Sequence, residues 1–111
     1  MKPIVERIVI TRLRDVHGWT TDPVWDNRVS KSFNTTQGLM TAAARVVTSS
    51  MVEHYPLMAS CLADGDNVLT GCIAYIPDGA KEETIHALTD AFAEQVDLQM
   101  ANSFEYQLLA A

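Results

Sequence analysis

The sequence predicts a single α+β domain, and three observations lead there. A run rich in β-branched residues lies near the start of the chain, two strand-like runs flank a turn signal in the middle, and a short run of alternating apolar residues lies near the end. Two longer segments space their apolar residues at helical intervals behind capping residues. The two kinds alternate as strand, helix, strand, strand, helix, strand. The chain has 111 residues, the size of one domain, and buries enough surface to fold without staples.

Residues 4–13, IVERIVITRL, are rich in β-branched side chains and read as strand 1. Ile8 and Ile10 fall on one face and Val5, Val9 and Leu13 on the other, the two-sided pattern of a central strand. Residues 15–34 contain Gly18, Pro23, Asn27 and Asn34 without a period and read as a long loop. NTTQ opens helix 1, with Asn34 as cap and Gln37 reaching back. Leu39, Ala43, Val46, Val47 and Ser50 follow at helical spacing, and Pro56 ends the segment.

LMASCLA (57–63) and VLTGCIAYI (68–76) flank DGDN, a hairpin signal, with Gly71 as a candidate bulge. A two-residue turn at Asp66-Asn67 would set Cys61 opposite Cys72, within disulfide reach. A four-residue loop would not, and two buried thiols are the plainer reading. PDGAKEE opens helix 2, with Asp78 as cap and Glu82 and Glu83 at the positive end of the dipole. Ile85, Leu88, Phe92 and Val96 form its apolar stripe. SFEYQLL (103–109) reads as strand 4, with Phe104, Tyr106 and Leu108 on one face.

This order is the ferredoxin-like, split βαβ arrangement: a four-stranded antiparallel sheet, order 4-1-3-2, with two helices on one face. Strands 2 and 4 are then edges. The other face must be covered by the 15–34 loop or by a second subunit, and a homodimer is expected.

Apolar residues make up 48% of the chain and charged residues 20%, ordinary globular usage. No apolar run approaches the roughly 18 residues of a membrane span. MKPIVERIVI has Glu6 and Arg7 inside its apolar stretch and is no signal peptide, so the expected address is the cytoplasm, with no membrane partner. The net charge is −6, unevenly spread. Residues 1–56 carry seven basic and five acidic residues, whereas residues 57–111 carry Lys81 alone against nine acids.

Several chemistries are disfavoured. VLTGCIAYI offers Tyr75 as its one aromatic, which with the acidic balance argues against direct nucleic-acid binding. No Walker loop, H-E-x-x-H or G-x-S-x-G motif occurs. His17, His54, His86 and the two cysteines lack ligand spacing, so neither metal nor cofactor is expected. His17 with Asp15, Asp22 and Asp26, approached by His54, is a candidate acid–base cluster. Solvated turn residues account for it more simply, and no catalysis is expected.

Two features point instead to a protein partner. Trp19 and Trp25 stand in the aperiodic loop, as a lid over the core or as an aromatic contact surface. Glu83, Asp90, Glu94 and Asp97 share one sector of helix 2, opposite its apolar stripe, with no lysine or arginine among them. The expected function is a non-catalytic regulator or inhibitor docking this acidic face onto a basic protein, including a nucleic-acid-binding one. The alternative is a small dimeric enzyme or ligand-binding domain with a pocket between the sheet and the 15–34 loop. Reversing Asp90 and Glu94 is expected to weaken binding and to leave stability intact.

Overall fold

A computed structural model describes residues 2–21, 28–35, 38–49, 52–64, 67–77 and 79–110, with side chains for 5–21, 28–33, 40–46, 72–77 and 79–100. The elements run α1 (Lys2–His17), β1 (Thr20–Thr21), β2 (Arg28–Thr35), β3 (Gly38–Ser49), β4 (Val52–Asp64), β5 (Asn67–Tyr75) and α2 (Glu82–Ala110). The class is α+β, with two helices and an antiparallel sheet. The order of elements is not that of a split βαβ fold. The strands form a meander, β1-β2-β3-β4-β5, with both helices outside it in sequence. No helix among the described residues is long and apolar enough to cross a membrane.

The predicted strand 4–13 lies within α1. Its two-sided apolar pattern is a helical stripe read at the wrong period. Val5, Val9 and Leu13 recur every four residues, Val9 and Leu13 are buried, and Val5 and Ile8 pack against them. The strand preference of valine and isoleucine spans only about 1 kcal/mol, less than burying one such side chain provides.

The predicted helix 34–50 is the β2–β3 hairpin. The deciding pattern is period 2 along β3. Met40, Ala42, Ala44 and Val46 are buried, while Thr41 and Arg45 are exposed. Asn34 pairs with Leu39 in the ladder instead of capping a helix.

The hairpin predicted for 57–76 is present as β4 and β5. Asp64 pairs with Asn67, and the register slips by one residue between Leu62 and Ala63, close to Gly71. The slip pairs Ser60 with Cys72 and Cys61 with Gly71, so the two cysteines are one step out of cross-strand partnership. Cys72 is a free, buried thiol whose pKa burial pushes up, the setting of an inert structural cysteine.

The predicted strand 103–109 lies within α2. At 29 residues this helix is about 43 Å long. It begins after Lys81, whose carbonyl accepts the first helical hydrogen bond, from the Ile85 N–H. The predicted cap Asp78 lies outside the described residues. Gly79, at φ +75°, makes the turn into the helix, a conformation that favours glycine.

The sheet edges are therefore β1 and β5. Both helices pack on one face, α1 near β2 and β3, α2 near β4 and β5, and they pack on each other. Val9, Leu13, Val29, Met40, Ile76, Ile85, Phe92 and Val96 fill the space between.

Candidate functional site

Helix α2 carries the predicted acidic sector, and the fold divides it. Phe92, Ala93, Val96 and Met100 set which side of the helix faces the core. Asp90 and Asp97 lie at the border of that side, while Glu83 and Glu94 face solvent.

Asp90 is held by α1. The Arg12 guanidinium donates to both its oxygens, Nε to Oδ1 at 2.9 Å and Nη2 to Oδ2 at 2.8 Å. The bidentate fork is the strong form of this pair. His17 Nε2 lies 2.7 Å from Oδ1 and donates its proton there. Arg12 and then His17 hold the Asp90 carboxyl well below the usual carboxylate range. Asp90 in turn raises the Arg12 pKa. Asp97 accepts from Lys31 Nζ of β2 at 3.0 Å, and the same ammonium lies 5.3 Å from the Phe33 ring centre. Both aspartates thus hold α2 to the rest of the fold.

Among the described residues no cation lies against Glu83 or Glu94. Glu82, in the first turn, is 3.7 Å from His86. On the same solvent side stand Ala87, Ala91 and Leu98, the last 60% exposed.

Trp19 is not part of a contact surface. It is 2% exposed, among the largest fully buried side chains of the core. Gly18, at φ +75°, ends α1 and turns the chain back, so that the Trp19 N–H reaches the Leu13 carbonyl at 3.0 Å. Its indole Nε1 is buried without a hydrogen-bond partner among the described residues. Trp25, Asp22 and Asp26 lie outside the described residues, as does the side chain of His54. Of the proposed acid–base cluster, His17 turns to Asp90 and Asp15 to Arg14, at 2.9 Å.

A groove of about 540 Å³ opens between α1 and the start of α2, lined by Arg7, Thr11, Arg12, Asp15, Glu82 and His86 among others. It lies on the helical side, away from the position expected for a pocket. Its charges are mixed, and Arg12 is already committed to Asp90. Among the described residues no three His, Cys, Asp or Glu side chains converge as a metal site would require.

Arg12, His17 and Lys31 are the residues that sequence reasoning missed as partners of the acidic helix. A helical reading of residues 5–13 would have flagged Arg12, which borders the Val5–Val9–Leu13 stripe. Comparison of the chain with protein-family models, with curated proteins and with solved structures finds no match.

Proposed function

We propose that this chain is a cytoplasmic, non-catalytic regulator that binds another protein through the solvent face of α2, with Glu83 and Glu94 as its charged contacts. One observation carries the reading: the fold neutralises Asp90 and Asp97 with its own cations and, among the described residues, sets none against Glu83 and Glu94. Glu83 gains only the modest favour of the helix N-terminus and Glu94, in mid-helix, gains nothing from the dipole, so a basic partner supplies the cation both lack among the described residues. The alanines between them let a partner approach the helix closely.

The test is titration of the protein with a fluorescent lysine-rich peptide. Glu83→Lys with Glu94→Lys should weaken binding about tenfold or more. Glu6→Lys with Asp15→Lys, equal in net charge but placed on α1, should weaken it far less. Wild-type binding should fall between roughly 50 and 500 mM salt, as the Debye length shrinks from about 14 to about 4 Å. Equal losses in the two double variants would reduce the effect to net charge and overturn the assignment.

A further inference from the structure

The face of the sheet turned away from the helices has its own pattern. On β3, Thr41, Ala43 and Arg45 alternate with the buried Met40, Ala42, Ala44 and Val46. On β2, Arg28, Ser30 and Ser32 alternate with Val29 and Phe33, which join the core. On β5, Ile73 and Tyr75 are 61% and 56% exposed, whereas Cys72 and Ile76 are buried. None of these eight outward residues is a carboxylate. Arg28 and Arg45 are direct cross-strand partners, a like-charge pair that costs stability, and no described carboxylate lies within ion-pair distance of either. Among the described residues this face therefore offers two uncompensated cations and, on the far side of β4, two exposed apolar side chains.

The solvent face of α2 offers the reverse: Glu83 and Glu94 as anions uncompensated among the described residues, Ala87 and Ala91 between them, and Leu98 exposed one turn beyond. The spacings agree. Arg28 pairs with Arg45, Arg45 with Ala59, and Ala59 with Ile73, so these residues step across four adjacent strands. At about 4.8 Å per strand, Arg45 stands some 10 Å from Ile73, and Arg28 some 14 Å. Along the helix, Glu94 is about 6 Å from Leu98 and Glu83 about 22 Å. A helix laid across the strands with Leu98 on Ile73 and Tyr75 brings Glu94 beside Arg45, and Arg28 extends towards Glu83.

We infer that the open sheet face of one molecule is the docking site for helix α2 of a second copy, joined by Arg28 and Arg45 to Glu83 and Glu94 and by Ile73 and Tyr75 to Leu98. The inference rests on reading Glu83 and Glu94 as contacts, and names their partner. The two patches differ, so the contact is head-to-tail: each added copy leaves one sheet face and one helix free, and the assembly grows or closes into a ring. A two-fold dimer of sheet faces would instead set the arginines against one another. A single helix face on a sheet is a small interface, which corresponds to weak association.

Sedimentation velocity of the full chain, from about 10 to several hundred micromolar, tests this. The wild type should show a concentration-dependent rise in mass that 500 mM salt suppresses. Arg45→Glu and Glu94→Arg, both on exposed side chains, should each weaken association at least about tenfold while far-ultraviolet dichroism stays native. An equimolar mixture of the two variants should associate again, because each supplies the surface the other lacks. Association kept or strengthened in Arg45→Glu would mean that the sheet arginines do not meet the helix acids, and would overturn the inference. So would a monomer at every concentration. If that monomer still lost lysine-peptide binding in the Glu83→Lys, Glu94→Lys variant, the basic-partner reading would survive and self-recognition would not. A monomer that instead retards a single-stranded RNA oligonucleotide through Arg28 and Arg45 would assign the sheet face to nucleic acid and equally overturn it.

Discussion

Trp19→Ala is expected to destabilise the fold by about 3–5 kcal/mol, the usual cost of emptying a large aromatic site in a core. Trp19 is 2% exposed and belongs to the same cluster as Leu13 and Val29, where α1 meets the sheet. A domain of this size has only about 5–15 kcal/mol in total, so the variant should be marginal or unfolded at 37 °C. Trp19→Phe should be much milder. It retains most of the apolar volume and removes the indole N–H, which is buried without a partner among the described residues and so opposes folding. Urea denaturation followed by circular dichroism gives both values. A Trp19→Ala midpoint near wild type would mean that the indole does not fill the core.

The second large effect is expected at Asp90. As part of one solvated sector, Asp90 could be reversed without loss of stability. The structure corrects this, because Asp90→Lys would set a cation against Arg12 and His17. Even Asp90→Asn, which keeps the shape, should lower the melting temperature by roughly 5 °C or more at neutral pH. The pH dependence has a definite sign. Arg12, and then His17, lower the Asp90 pKa in the folded state. The stability this adds is complete above the unfolded carboxylate value of about 3.9. It is lost as pH falls below that value towards the lower folded one, because the folded state must then release Arg12 and His17 to take up a proton. Thermal melts between pH 2.5 and 7 should show the wild type losing more stability below pH 4 than Asp90→Asn does. Parallel losses in the two proteins would show that the cluster does not hold α1 to α2.

How much of this was legible depended on which signals were local. The β4–β5 hairpin was, because DGDN lies between two β-rich runs and nothing distant competes. The first part of α2 was, because Ile85, Phe92 and Val96 recur at helical spacing and are all buried. Residues 4–13 were not, because β-branched content suggested a strand and the helical burial of Val9 and Leu13 depends on the opposing sheet. Residues 34–50 misled in the opposite sense. Ala42 to Ala44 are good helix formers and Asn34 with Gln37 imitates a capping box, yet alternate residues of β3 are buried. The candidate site inherited the first of these errors. Glu83, Asp90, Glu94 and Asp97 share one side of α2 at helical spacing, but a strand over residues 4–13 provides no helix to bring Arg12 and His17 to Asp90. Trp19 lies just past the end of that same helix, so its burial was hidden with it.

The central claim is that the acids of α2 do two jobs: Asp90 and Asp97 hold the fold, while Glu83 and Glu94 are free for a partner. Urea midpoints of Glu83→Gln, Asp90→Asn, Glu94→Gln and Asp97→Asn, measured at pH 7 in one series, test it most directly. The account predicts a clear drop for Asp90→Asn, a smaller one for Asp97→Asn, at most a slight drop for Glu83→Gln, which loses a favourable contact with the helix N-terminus, and a midpoint at or slightly above wild type for Glu94→Gln. Four equal midpoints, or a drop in Glu94→Gln as large as that in Asp90→Asn, would contradict it.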